Sequence, residues 1–249
     1  EGYLYMSEPG KGIHVIDNRN PAQPEVVGYI ELLGNADLAI RDNKLYADSY
    51  IDLVWFDVSN PASPSLLGRL EKVFPQALPV MPNTSGFDYS MIYGGNKGDS
   101  ICVGWTEVER TEEFEDYRGG WFWGWGWMRE GDMLTAMNDG AKGSSTTGVN
   151  GSMSRFTIYD DKLYSVLNNQ MTIFDLSPAT PVKAVESFYV GWNVETIFSY
   201  KDNMFMGTPT GLIIYSVADP LKPVFQSSIT HVFGCDPVVV ENDIAYVTV

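Results

Sequence analysis

Residues 54–68 read Val54-Trp55-Phe56-Asp57-Val58-Ser59-Asn60-Pro61-Ala62-Ser63-Pro64-Ser65-Leu66-Leu67-Gly68. An apolar run ends in Asp, a polar turn with two prolines follows, and a second apolar run closes the unit. Proline has no N–H for a sheet ladder, so the prolines sit in a turn or at an edge, with strands on either side. The same pattern recurs at residues 14–24 (HVIDNRNPAQP), 172–181 (TIFDLSPATP) and 213–223 (IIYSVADPLKP). A second motif lies 10 to 12 residues upstream of each copy: Tyr3-Leu4-Tyr5, Lys44-Leu45-Tyr46, Lys162-Leu163-Tyr164 and Met204-Phe205-Met206, with Ile244-Ala245-Tyr246 as a fifth.

The intervals set the period. Asp17 to Asp57 and Pro24 to Pro64 are both 40 residues, Tyr5 to Tyr46 is 41, Tyr164 to Met206 is 42 and Met206 to Tyr246 is 40. In the second unit, Leu38-Ala39-Ile40 and Leu45-Tyr46-Ala47-Asp48 flank an Asp42-Asn43 turn. Asn and Asp tolerate the positive φ of a two-residue hairpin. Asp160-Asp161, Asp202-Asn203 and Asn242-Asp243 are the equivalent turns. Leu53 to Phe56 is the third strand and Leu66-Leu67-Gly68 the outer one, with parallels at residues 26–29 and 225–229. Four short strands in about 40 residues predict an all-β fold, a β-propeller of four-stranded antiparallel blades. A blade buries both faces against its neighbours, so strands such as Leu212-Ile213-Ile214-Tyr215 are apolar throughout. Leu45, Leu163, Ile173 and Ile213 are the expected interblade core.

The expected blades are 1–33, 34–74, a degenerate 75–112, 152–191, 192–231 and a partial 232–249, in one domain incomplete at both ends. The Asp57-to-Asp175 interval is 118 residues. One further period leaves an excess, read as an insertion at 113–151. An open ring leaves blade faces bare, so residues 1–249 alone are expected to associate.

The chain has 249 residues, 16 Lys plus Arg against 32 Asp plus Glu, and a net charge of −16. That excludes a nucleic-acid partner, which needs clustered cations, and charge-driven docking on an anionic membrane. No apolar run approaches 18 residues, so no transmembrane segment is expected. Two cysteines, Cys102 and Cys235, are too few for a disulfide framework.

The repeats resemble the LVIVD repeat, a propeller family of bacterial and archaeal surface and exported proteins. Residues 57–64 with Leu66-Leu67-Gly68 are the cleanest copy, and the resemblance covers 1–70 and 152–249. Ser216 departs from it, standing where Asp is usual. The phrase Gly234-Cys235-Asp236-Pro237 looks like members from Bacteroidota. The resemblance implies no catalytic residues. It implies an exported protein, at the cell surface, outer membrane or periplasm, with a lipid anchor outside this segment, acting as an interaction or scaffold module within an envelope assembly.

Residues 119–128 hold four of the seven tryptophans. Two readings stand side by side: a turn-rich filler of the ring, and a partner-binding loop through Trp121, Phe122, Trp123, Trp125 and Trp127, since Trp is enriched at hot spots. Asn35, Asp37, Trp192, Asn193, Glu195 and Asp236 precede innermost strands. There they are either turn residues or ligands for a small molecule or ion at the channel mouth. Glu107 and Glu109 share a strand face; the reading is a charged edge strand, with a structural Ca²⁺ as the weaker alternative. No other metal or cofactor is indicated. His14, between Ile13 and Val15, is read as a packed strand histidine. Without a nucleophile elbow, phosphate loop or dinucleotide fingerprint, a non-catalytic propeller is expected. A glycan-active hydrolase or lyase is the alternative.

Overall fold

A computed structural model describes residues 2–74, 101–104, 106, 155–167, 169–177, 182–191, 194–230 and 238–247. The chain divides into two units, Glu1–Ala77 with Asn150–Val249, and Leu78–Val149. In the second, the described residues form no element, and Cys102 is a free thiol.

In the first unit the described residues form 17 strands in five antiparallel sheets. β1 (Tyr3–Glu8), β2 (Gly12–Asp17) and β3 (Glu25–Glu31) form the first. β4 (Leu38–Arg41), β5 (Lys44–Ser49), β6 (Asp52–Asp57) and β7 (Ser65–Leu70) form the second. β8 (Phe156–Tyr159), β9 (Lys162–Leu167), β10 (Gln170–Asp175) and β11 (Lys183–Tyr189) form the third. β12 (Thr196–Tyr200), β13 (Asn203–Thr208), β14 (Gly211–Ser216) and β15 (Val224–Thr230) form the fourth, and β16 (Val238–Glu241) with β17 (Ile244–Val247) the fifth. Each sheet is a meander in sequence order, and the described residues contain no helix. This is the expected β-propeller.

The repeated motifs do the same local work in each blade. The two-residue turns adopt positive φ at Asp42 and Asn43, Asp160 and Asp161, and Asn242 and Asp243. In the fourth sheet the turn is Lys201-Asp202, one residue earlier than expected, and Asn203 is the first residue of β13. The Asp at the end of the third strand caps the proline turn. Asp57 Oδ1 accepts the N–H of Ser59 at 2.8 Å, Asp17 Oδ1 that of Arg19 at 3.0 Å and Asp175 Oδ1 that of Ser177 at 3.1 Å. Ser216 Oγ does the same for Ala218 at 3.4 Å, so the departure from Asp keeps the cap. Every four-stranded sheet, and the first, bulges at one place in its last pair: Val15/Ile16, Trp55/Phe56, Ile173/Phe174 and Ile214/Tyr215.

Apolar faces meet between successive sheets. Ile13, Val15 and Ile30 pack on Leu45, Val54 and Phe56. Tyr46 and Leu53 pack on Phe156, Leu163 and Phe174. Tyr164, Met171 and Ile173 pack on Ile197, Met204 and Met206, and Leu212 packs on Val238 and Val240. Leu45, Leu163 and Ile173 are fully buried, as expected, whereas Ile213 is partly buried. Turn-to-turn latches join the same neighbours. Arg41 pairs with Asp161 at 2.7 Å, the Tyr159 hydroxyl donates to Asp202 at 2.5 Å, and Lys201 pairs with Asp243 at 2.5 Å.

The sheet packed on β4–β7 is β8–β11, with β4 against β8. Most of the degenerate blade expected at 75–112, and all of the insertion expected at 113–151, lie outside the described residues.

Candidate functional site

The connection from β3 to β4, residues 32–37, carries two of the expected channel-mouth residues. It is held by backbone bonds to turns of both flanking sheets. The N–H of Gly10 donates to Asn35 O at 2.7 Å, and that of Tyr50 to Gly34 O at 3.2 Å. Ser49 Oγ donates to Leu33 O at 3.0 Å. Gly34 has φ +76°, and a Cβ there would lie 2.5 Å from the Tyr50 ring. Position 34 therefore needs glycine both for its backbone and for the ring stacked on it.

Two carboxylates, the buried Asp48 and the half-buried Asp37, organise the connection. Asp48 Oδ1, on β5, accepts the N–H of Ala36 at 2.7 Å, that of Asp37 at 2.9 Å, and Asn35 Nδ2 at 3.0 Å. The same Asn35 amide donates to Asp37 O at 2.9 Å and Asp48 O at 3.3 Å. Those three acceptors fix its orientation and leave its Oδ1 buried without a partner. Asp37 Oδ1 accepts the N–H of Leu38 at 2.7 Å. Its Oδ2 accepts the N–H groups of Arg155 and Phe156, the latter at 2.9 Å. Asp37 thus bridges two blades across 118 residues of sequence.

Burial pushes the Asp37 carboxyl up to about 7, against the three N–H groups that favour its ionised form, and the nearby Asp48 adds to the rise. Burial also raises Asp48, opposed by the Ala36 and Asp37 N–H groups and by Arg155. Both oxygens of Asp37 and Oδ1 of Asp48 are engaged by backbone and amide donors, the bonding of architectural acceptors.

The third and fourth sheets do not repeat this arrangement. The hairpins close at Arg41 opposite Lys44 and at Tyr200 opposite Asn203. Thr196, not Glu195, is therefore the counterpart of Asp37, and Tyr159 opposite Lys162 makes Arg155 the counterpart in the third sheet. Glu195 is half-buried, and its N–H bonds Gly207 O at 2.9 Å. No ring of equivalent ligands forms from Asp37, Arg155 and Thr196. Among the described residues, no group of three or more His, Cys, Asp or Glu is gathered to hold a metal.

Trp121, Phe122, Trp123, Trp125, Trp127, Trp192, Asn193, Asp236, Glu107 and Glu109 lie outside the described residues. His14 is partly exposed instead of packed within a seam. Its Nε2 is 3.2 Å from Glu8 and its ring lies edge-on to Tyr29 at 4.8 Å. Asp48 was missed as a site residue. Its signal was an acid directly after the apolar Leu45-Tyr46-Ala47 run, at the position where β9 has Val166 and β13 has Gly207.

The LVIVD repeat family matches residues 35–71, which span the β4–β7 sheet and its entry. No curated protein matches the chain. A Lactobacillus plantarum protein of known crystal structure superimposes with a TM-score of 0.54 at 7% identity, over 99% of this chain and 60% of its own length. Saccharomyces cerevisiae Sqt1 gives 0.35 at 9% identity, over 97% and 75% of the two chains. The N-terminal domain of Nup159 gives 0.39 at 10% identity, over 98% and 54%. At 7% identity the likeness to the L. plantarum protein concerns the fold, and this chain spans 60% of that protein's length.

Proposed function

We propose that this chain, which carries an LVIVD repeat and folds into β-propeller blades, is a non-catalytic protein-interaction module of an extracellular or envelope assembly. The observation that supports it is the use of the rim carboxylates. Asp37 and Asp48 each accept three N–H bonds, all from the backbone or from Asn35. A glycosidase needs two carboxyls facing the scissile bond, one of them free to deliver a proton, and a channel-mouth ligand site needs oxygens aimed at the ligand. The described rim supplies rigidity instead, which suits a platform that presents a partner-binding segment.

LVIVD repeats are found in extracellular proteins, and among the described residues no helix is long and apolar enough to cross a membrane. Export to the cell surface, outer membrane or periplasm accords with the first. The partner-contacting segment in this proposal is 119–128, through Trp121, Phe122, Trp123, Trp125 and Trp127. Large rigid aromatics bury area at low entropic cost.

Affinity capture from the native envelope, with intact protein and a variant carrying Ser at Trp121, Trp123, Trp125 and Trp127, tests this. The proposal expects a specific partner with the first and its loss with the second, both proteins melting alike. A variant that folds and retains every partner removes the segment from the interface. A folded protein with glycan-cleaving activity, abolished by Asp37→Asn or Asp48→Asn, would overturn the module reading.

A further inference from the structure

β3, β7, β11 and β15 end their sheets on the outer side. An outer strand carries a row of unpaired N–H and C=O groups, and natural sheets guard such rows with charge. β3 has Glu25 and Glu31, β7 has Arg69, and β11 has Lys183 and Glu186, all exposed. β15 reads Val224-Phe225-Gln226-Ser227-Ser228-Ile229-Thr230. It contains neither a charged residue nor a proline, and it is exposed along its whole length, Val224 by 58%, Phe225 by 54% and Ile229 by 59%. Among the described residues it pairs with β14 alone.

Its register on β14 divides the strand in two. A bulge separates Phe225, opposite Tyr215, from Ser227, opposite Ile214. Phe225 therefore shares the face of Tyr215, whose ring it meets edge-on at 5.8 Å, the face turned to the third sheet. Ser227 and Ile229 share the other face with Ile214 and Leu212, turned to the fifth sheet. From Ser227 to Thr230 the pairing is regular, and side chains alternate between the faces. Residues directly opposite in an antiparallel pair lie on one face. A second β15 centred on Ser227 would set Phe225 against Ile229 from opposite faces. Centred on Ser228, it sets Ser227 against Ile229 on one face, Gln226 against Thr230, and Ser228 against itself. That register stays clear of the bulge and within the strand.

Two copies of a chain of net charge −16 repel each other, so a contact between them belongs where neither presents charge. We propose that β15 is that contact. It pairs antiparallel with the β15 of a second copy about a two-fold axis at Ser228, and the fourth sheets of the two copies become continuous. An isologous contact needs one surface only and closes at two copies. The Gln, Ser and Thr side chains pair laterally along the edge, and Ile229 gains cover from the facing strand. A single strand edge is small beside a standard interface, so the dimer forms at micromolar concentration. The contact is independent of the segment proposed above to bind an envelope partner.

Sedimentation of the intact chain across the micromolar range should show monomer and dimer in exchange. Cα atoms directly opposite in an antiparallel pair are about 4.5–5.5 Å apart, within the span of a disulfide. In a chain carrying Cys102→Ser and Cys235→Ser, Ser228→Cys should therefore link two copies under mild oxidation. Ser227→Cys and Ile229→Cys should each link poorly alone and link when mixed. Ser228→Lys sets like charges against each other across the axis and should weaken the dimer roughly fivefold. Ala184→Lys, on the exposed part of β11, should leave the dimer unchanged, and both variants should melt as the parent does. A chain that stays monomeric overturns the proposal, as does linking through Ser227→Cys alone. Association that ignores Ser228→Lys also overturns it and places the contact elsewhere, such as on the bare blade faces of an open ring. Should Ser228→Lys not fold, the linking pattern of the three cysteine variants decides.

Discussion

Asp37→Asn should change how stability depends on pH, and the sign can be worked out. In the folded protein the Asp37 carboxyl is pushed up to about 7 from the usual 3.8, burial outweighing three N–H donors. A group whose folded value lies above its unfolded value binds a proton more tightly when folded. Its contribution is present in full below about pH 4 and is lost as pH rises toward 7. About three units correspond to roughly 4 kcal/mol, with a slope approaching 1.4 kcal/mol per pH unit in between. Asp48, also raised by burial, works in the same direction. Asp17, Asp57 and Asp175 are lowered by their turn bonds, Asp175 to about 2. Their contributions are lost only as pH falls below about 4, outside this window. Urea melts of the parent and Asp37→Asn from pH 4.5 to 7.5 read the difference directly; titrations uncoupled from Asp37 cancel in it, and Asp48, which feels the Asp37 charge, adds to the difference in the same direction. The Asn side chain keeps an acceptor for Arg155 and Phe156 but turns its NH₂ on the Leu38 N–H. Near pH 4.5 it should be less stable by about 1 kcal/mol. Near pH 7.5 the order should reverse, by up to a few kcal/mol. Parallel curves across the whole range would refute the reasoning. They would show Asp37 ionised throughout, with its three N–H bonds stronger than the burial that opposes them.

Leu163→Ala empties a fully buried position in the seam cluster and should cost about 2–5 kcal/mol in urea melts; a loss under about 0.5 kcal/mol would show that the strand faces the other way. Gly68→Ala places a Cβ 2.3 Å from the Trp55 ring, whereas at the equivalent Gly28 the nearest atom is Pro61 O at 3.2 Å. The first should lower the melting midpoint clearly and shift Trp fluorescence, the second should do so much less, and equal effects would contradict the packing. Tyr164→Phe removes the hydroxyl that donates to Pro220 O at 2.7 Å across the third and fourth sheets. It should cost about 1 kcal/mol by thermal melts, and no loss would mean that this bond does not join the blades.

The period, the strand order and the burial of Leu45, Leu163 and Ile173 are legible in the sequence because they repeat. A residue type that recurs every 40 or so positions is answering the same local demand each time. The Asp at 17, 57 and 175 is read first as a motif letter and then as an Asx cap, and Ser216 shows that the demand is for an acceptor oxygen. The turn at Lys201-Asp202 was misplaced by one residue because Asp-Asn looks like the better turn dipeptide, while strand register decides. What does not repeat was illegible. Nothing local in Asp37 marks it as the acceptor for residues 118 and 119 positions away.

The repeats therefore divide the chain into two kinds of position. Turn caps, bulges and interblade latches are nearly equal from sheet to sheet, and their equality is what a propeller needs to stack identical units. Asp37, Asp48 and Arg155 break that equality. Asp48 stands where the next two sheets have Val166 and Gly207, and Asp37 where they have Arg155 and Thr196. Burying two carboxyls is unfavourable unless each is fully hydrogen-bonded. A regular seam has no use for the arrangement, as the apolar contacts of Tyr164 and Met171 with Ile197 and Met206 show. The departure is confined to the seam where residues 75–154 leave and return. Its product is a fixed position for the Arg155–Phe156 backbone. Asymmetry in a repeat protein marks where something other than stacking is being specified, and here it fixes the Arg155–Phe156 backbone against the β4–β7 sheet.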